Sequence, residues 1–240
     1  MRCATRSLLC RPSSARWTPD MPYYDDELVR QLTAEAIERT GSRLLQMHRI
    51  GENDLEHTRA LLNLFDFPQG ARIADIGCGV GDLALTMQAE RPDLNFVLVN
   101  PSLAQLRMCP DDFAKVLACG ESLPFERGDV DALMVTYALG HMDLVQFALQ
   151  AMRILAPGQK LCIFDLFKLD ASQPCQLAED LNYAERTLYG VLQAFDHHRF
   201  DATAMQTATH LPEATAALLP NPNTLDNTFS VALVLTRRKK

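Results

Sequence analysis

The stretch Ile73-Ala74-Asp75-Ile76-Gly77-Cys78-Gly79-Val80-Gly81-Asp82 decides how the rest of the chain is read. A short apolar run ends in an acid and passes directly into three alternating glycines, and the segment from Asp82 to Ala89 has the character of a following helix. Glycine lets a backbone turn tightly and approach a ligand where a Cβ would collide with it. The pattern is D-x-G-x-G-x-G, whereas dinucleotide sites use G-x-G-x-x-G. Gly81 stands one place early, and Asp82 occupies the third glycine's position. A carboxylate at a helix start repels a pyrophosphate and suits a ligand bearing positive charge.

Working outward, apolar runs and helical patterns alternate. Strands are expected at 71–76, 96–99, 115–118, 130–137 and 160–164, with helices over 82–89, from Ser102 to Met108, and over 144–155. Five strands alternating with helices favour a parallel, right-handed, doubly wound sheet. Upstream, Leu55, Leu61, Leu62 and Phe65 mark a helix over 54–65, ended by Pro68-Gln69-Gly70. Leu28, Leu32, Ile37, Leu44 and Leu45 suggest two more helices between Asp26 and Gln46. Downstream, 176–195 reads as a long helix and 228–236 as a late strand.

The 240 residues suffice for one large domain with a terminal elaboration. With 48% hydrophobic and 22% charged residues the composition is that of a globular chain, which excludes global disorder. Lys and Arg number 23 against 30 Asp and Glu, a net charge of −7, which disfavours a broad grip on nucleic acid or anionic lipid. No apolar stretch is long enough to span a bilayer as a helix. Seven cysteines without a CxxC pair fit neither a disulfide framework nor a zinc site, so a reducing, cytoplasmic setting and no metal site are expected. Residues 1–20 carry Arg2, Arg6, Arg11 and Arg16 and no acid before Asp20. They are read as a disordered extension, with a transit peptide as the competing reading.

The glycine stretch, Glu121-Ser122-Leu123-Pro124-Phe125 followed by Asp129-Val130-Asp131-Ala132-Leu133, and Met152-Arg153-Ile154-Leu155-Ala156-Pro157-Gly158 together resemble the class I S-adenosylmethionine-dependent methyltransferases. The resemblance runs from about Asp54 to Phe167 and implies a doubly wound, mostly parallel α/β sheet of seven strands, with the late strand reversed. It implies S-adenosyl-L-methionine as cofactor, held by Asp75, Gly77, Cys78, Gly79, Gly81, Asn100, Gln105, Gly120, Glu121 and Ser122. Two positions depart from the family's pattern. Asn100 stands where most members place an acid for the ribose hydroxyls, and Cys119 where an aspartate commonly faces the adenine. Asn100-Pro101-Ser102-Leu103-Ala104-Gln105 has the S-x-x-Q spacing of methyltransferases acting on alkenes and isoprenoids, and Tyr23-Tyr24-Asp25 and Met47-His48-Arg49-Ile50-Gly51 look like that group's N-terminal cap.

The expected division is an extension over 1–20, a helical cap over 21–67, and a methyltransferase domain over 68–240 with a substrate-side insert near 169–200. His141, Tyr24 and Tyr137 are the candidate catalytic residues, with His48 and Tyr183 also available and Asp165 weighed between catalysis and loop capping. Tyr183, Tyr189, Phe195 and Phe200 are candidates to line an apolar cleft, and 237–240 reads as a solvated tail. The cap and insert carry aromatics and no basic cluster, so a small, largely apolar acceptor is expected, with no nucleic acid partner. Carbon methylation of an isoprenoid-like alkene is the sharper expectation. Oxygen or nitrogen methylation of a small aromatic, a nonenzymatic relative that has lost the cofactor, and a nicotinamide oxidoreductase are the rivals. The oligomeric state stays open, a homodimer among the options.

Overall fold

The structure is a computed structural model that describes residues 34–35, 37–38, 48–173, 175–176, 183–208, 210–216, 219, 221 and 223–239. Tyr24, the extension over 1–20 and most of the two helices expected between 26 and 46 lie outside the described residues.

Seven strands form one sheet: β1 (Arg72–Ile76), β2 (Asn95–Asn100), β3 (Ala114–Leu117), β4 (Ala132–Thr136), β5 (Lys160–Lys168), β6 (Phe200–Ala208) and β7 (Thr228–Arg237). Their order is β3-β2-β1-β4-β5-β7-β6. β1 to β5 pair in parallel, and β7 enters antiparallel between β5 and β6. The central strands are near-continuous apolar runs because helices cover both faces. On one face Ala74, Ile76, Val97, Val99, Leu133, Val135, Leu161 and Ile163 join Phe147 and Ala151 of α4 (Leu144–Ile154) and Val191 and Phe195 of α5 (Leu188–His197). On the other, Ile73, Phe96, Leu98, Met134, Cys162 and Phe164 meet Leu61 and Phe65 of α1 (Asp54–Phe65), Met87 of α2 (Asp82–Glu90) and Leu106 of α3 (Leu103–Met108). Successive residues of each strand thus serve opposite cores.

α1 has the bounds that its periodicity predicts. Asn53 caps it by accepting from Glu56 N at 2.9 Å, and the Glu56 carboxylate reaches back to Glu52 N at 2.9 Å, a reciprocal cap. At its other end Lys160 Nζ donates to the carbonyls of Phe65 and Asp66 at 3.1 and 2.8 Å, satisfying oxygens that a helix leaves unpaired.

Three expectations need correction, and one strand was not foreseen. β5 runs on to Lys168, past the Asp165 that looked like its end, because that carboxylate is buried with its own donors. The helix expected from 176 begins only at Leu188; Tyr183 to Arg186 are not helical, Lys168 N donates to Arg186 O at 2.7 Å, and 177–182 lie outside the described residues. Arg237 is no solvated tail: it ends β7, is 8% exposed, and donates to Leu155 O at 3.2 Å, while Arg238 pairs with Asp196 and Asp201. β6 went unread because the alternation of Phe-Asp-Ala-Thr-Ala rests on small alanines and lapses at Met205, in a strand largely exposed between its two ends.

Phe164 is fully buried at the middle of β5, its ring 4.8 Å from His57 and 5.1 Å from Tyr137. Phe164→Ala should destabilise the chain by about 3–5 kcal/mol, read as a fall in the urea midpoint with an unchanged slope.

Candidate active site

In this strand order the chain turns outward on either side of β1 and β4, and the crevice beyond their carboxyl ends is where open α/β sheets place ligands. The loop after β1 and the loop after β4 meet there. Gly77, Gly79 and Gly81 all have positive φ, at 74°, 57° and 81°, a region that side-chain-bearing residues rarely enter. Two of them also face tight neighbours. A Cβ on Gly77 would lie 2.4 Å from the Cβ of Ala138, and one on Gly81 would lie 2.7 Å from Leu98 Cδ1. A Cβ on Gly79, by contrast, would meet nothing within 4 Å, so this glycine faces open space.

Asp75 stands directly before the loop at 1% exposure, and its Oδ1 has no hydrogen-bond partner. Burial alone pushes its carboxyl up to about 7. A buried carboxylate oxygen without a donor is costly to keep unless something brings positive charge to it. The orphaned oxygen of Asp75 and the open space at Gly79 fit the amino-acid end of S-adenosylmethionine.

Asn100 ends β2 and is 4% exposed. Its Nδ2 donates to Gly79 O at 3.2 Å and to Gln105 Oε1 at 2.9 Å, and its Oδ1 accepts from Ser102 N at 2.8 Å. Ser102 in turn caps α3, its Oγ accepting from Gln105 N at 3.1 Å. The S-x-x-Q spacing therefore ties the second strand, the glycine loop and α3 into one amide network. The sequence could not show this use of Asn100, since it depends on where Gly79 O falls in space.

The loop after β4 holds the remaining candidates. Tyr137 has φ 48°, and its buried hydroxyl donates to His48 O at 2.7 Å, accepts from His48 N at 2.8 Å and lies 2.9 Å from Ser230 Oγ. It clamps the segment before α1 onto the sheet. His48 Nδ1 also lies 2.9 Å from Ser230 Oγ, and burial, helped by His210, lowers the imidazole to about 4, so it is neutral at pH 7. His141 is exposed, and its ring stands edge-on to Tyr183 at 4.8 Å. Glu121 Oε1 accepts from Asp143 N at 2.6 Å, and Gly120 is buried where a Cβ would meet Met142 Sδ at 2.6 Å. Cys119 is half-buried, its thiol pushed up by burial and by Glu121, and its carbonyl accepts from Ser122 N at 3.1 Å.

Asp165 is a clamp within the fold. Its Oδ2 accepts from Ala138 N and Leu139 N at 3.1 and 2.9 Å, and its Oδ1 accepts from Leu166 N at 2.7 Å and from the Tyr183 hydroxyl. Burial raises this carboxyl to about 6 against the pull of those bonds. Gly140 makes room for the Tyr183 ring, since a Cβ there would lie 2.1 Å from it, and Gly140 O accepts from Ala184 N at 3.0 Å. Of the other aromatics named for a cleft, Tyr189 is 69% exposed, while Phe195 and Phe200 belong to the main core beneath.

The Asn100 network yields a test. Both acceptors that its Nδ2 serves would face an oxygen in Asn100→Asp, so restoring the family's usual acid should destabilise the protein by about 1–3 kcal/mol. Urea unfolding would read the loss, and S-adenosylhomocysteine calorimetry of the same variant should show weaker binding in place of the gain that a ribose-binding acid would give.

Among known proteins, residues 74–163 match the family described as a methyltransferase domain. An O-methyltransferase of Aspergillus nomiae is 31% identical over 127 residues, covering 49% of this chain and 56% of that protein. A sterol 4-C-methyltransferase of Caenorhabditis elegans is 27% identical over 111 residues, covering 43% of this chain and 33% of that one. The chain thus spans about half the length of the first curated relative and a third of the second. Solved structures agree on the fold. The cyclase SpnF superposes with a TM-score of 0.75 at 15% identity, covering 90% of this chain and 97% of its own. A geranyl diphosphate C-methyltransferase from Streptomyces coelicolor gives 0.70 at 15% identity, covering 92% and 99%. The strand order and the glycine loop agree with this match, and the chain carries a methyltransferase domain over residues 74–163.

Proposed function

We propose that this chain transfers a methyl group from S-adenosylmethionine to a small, largely apolar molecule. The observation that carries the reading is the pairing of an orphaned, buried Asp75 oxygen with open space at Gly79, inside a domain whose family uses this donor. The donor supplies an already activated methyl on a sulfonium, so the protein's task is to align acceptor, methyl carbon and departing sulfur. Asp75 and the loop glycines would hold the amino-acid end. Asn100, Gly120, Glu121 and Ser122 would border the nucleoside, with Asn100 acting through the loop it fastens. Tyr137 and Tyr183 set the walls of the crevice by clamping the segments before α1 and after β5.

The finer reading is carbon methylation of an isoprenoid-like alkene. It is supported by Ser102-x-x-Gln105 and its tie to Asn100, and by the sterol C-methyltransferase among the relatives. Such a reaction needs a group to take a proton from the carbocation that follows methyl transfer, and His141, exposed on the loop after β4, is the available base. The O-methyltransferase relative favours a second reading, in which His141 takes the proton of an acceptor hydroxyl.

Labelled donor with prenyl diphosphates, sterols, phenols and amines, followed by mass spectrometry of the products, separates the two readings. Label on carbon supports the first and label on oxygen or nitrogen the second, whereas label only on added nucleic acid or protein refutes the small-molecule acceptor. His141→Ala should lower kcat by about 10²–10⁴-fold if the ring is the base.

Asp75 gives a pH-dependent test of donor binding. Its folded carboxyl sits near 7, above the ordinary aspartate value, so between those limits the fold favours the protonated form and loses stability as pH rises. An ammonium placed beside the carboxylate, as at the amino-acid end of S-adenosylhomocysteine, reverses the preference. Binding of S-adenosylhomocysteine near pH 7 should therefore release a fraction of a proton, measurable as a buffer-dependent heat, and should tighten between pH 6 and 8. Asp75→Asn should abolish the proton release and weaken binding about tenfold. No heat at millimolar ligand would sink the donor assignment.

A further inference from the structure

Two cysteines meet at the glycine loop. Cys78 lies between Gly77 and Gly79, half-buried, and Cys109 caps the C-terminus of α3, buried. Both thiols point at the same atom: Cys78 Sγ and Cys109 Sγ each lie 3.6 Å from Gly79 O. Sharing this acceptor brings the two thiols close enough that each shifts the other's acidity, Cys78 upward and Cys109 downward. Gly79 O is the carbonyl that accepts from Asn100, so three side-chain donors converge on one peptide of the loop. On the far side of Cys109, Lys115 Nζ donates to its carbonyl at 2.7 Å.

We propose that Cys78 and Cys109 are an oxidative modification site, in which a peroxide closes them into a disulfide that shuts the glycine loop to the methyl donor. The disulfide itself stands on the convergence of both sulfurs on Gly79 O; its effect on the donor rests on the assignment of the loop made above.

Cys109 is the attacking thiol, its acidity raised by the Cys78 S–H and by the Lys115 ammonium, which together stabilise the thiolate. The Cys109 sulfur attacks one peroxide oxygen and the O–O bond breaks, giving a sulfenic acid and one water. The Cys78 sulfur then attacks the sulfenic sulfur, the S–O bond breaks, and a second water leaves. Two thiols lose two protons and two electrons in all, and hydrogen peroxide becomes two waters.

An S–S bond of about 2.05 Å draws together two sulfurs that now share one acceptor, each 3.6 Å from Gly79 O. It removes the S–H donors within reach of Gly79 O and Gln105 O and fixes the side-chain torsion of Cys78, between two glycines that hold positive φ. Gly77 has no latitude to follow, because Ala138 already occupies the place of its Cβ. The loop must therefore change where it faces the open space at Gly79.

The test treats the full-length protein with hydrogen peroxide, blocks remaining thiols, and digests with trypsin without reductant. The expected species links the peptide 73–107, which contains Cys78 and runs past the trypsin-resistant Arg91–Pro92 bond, to 108–115, which contains Cys109. Calorimetry of the same oxidised sample should show S-adenosylhomocysteine binding at least about tenfold weaker than in the reduced protein, restored by dithiothreitol. Cys109→Ser should yield no linked peptide and keep its affinity through peroxide treatment. Absence of the linked peptide overturns the proposal, as does a linked protein that binds as well as the reduced one. If the reduced protein binds no ligand, the donor assignment fails and the regulatory effect falls with it, while the peptide map still decides whether the pair is oxidised.

Discussion

One buried carboxylate fixes the crevice on which the site depends. Asp165 lies at the centre of β5 with both oxygens engaged, and it gathers two backbone amides from the loop after β4, one from its own strand, and the hydroxyl of Tyr183 from the segment that returns after β5. Ala138, held by one of these bonds, is the residue that Gly77 admits by lacking a Cβ. The contact between the two ligand-edge loops is therefore set from below, by an acid that touches neither the glycines nor open solvent. Removing it would leave two loop amides and a tyrosine hydroxyl buried without acceptors, each a cost that hydrophobic packing cannot offset.

The central sheet was legible because short apolar runs such as 96–99, 132–135 and 161–164 alternate with helical patterns, and because α1 announces itself by both periodicity and caps. The glycine loop was legible for a related reason: three positive-φ positions in five residues leave glycine as the only comfortable choice. What stayed hidden depends on partners distant in sequence. Asp165 resembled a strand end because its donors come from residues 138, 139, 166 and 183. Arg237 resembled a tail because Leu155 O is far away along the chain. β6 left only a faint pattern because an edge strand with both faces largely exposed has little apolar face to mark.

The site divides in the same way. Gly77, Gly79, Gly81 and Asp75 are local features and fell where the spacing put them. Asn100 looked like a weakened ribose ligand and is instead an internal tie whose two amide hydrogens serve Gly79 and Gln105. Tyr137 looked catalytic, yet its hydroxyl is committed to His48 and Ser230. His141 keeps an exposed ring on the same loop. The resemblance in fold to a cyclase as well as to methyltransferases fits this division, since the scaffold fixes where a ligand sits and leaves the chemistry to a few loop residues.

The insertion of β7 between β5 and β6 orders how the molecule can be made. β6 touches the sheet through β7 and through no other strand, although it is synthesised first. Until residues 228–237 emerge, β5 presents an unpaired edge along its length and β6 has nowhere to attach. Domains begin to assemble from their N-terminal side during synthesis, so a parallel half built on β1 to β5 would wait with one open edge. That edge ends at Phe164-Asp165-Leu166-Phe167, an apolar stretch that another nascent chain could pair with. For this topology the hazard of misassembly is greatest late in translation, and it passes when a single antiparallel strand slides home.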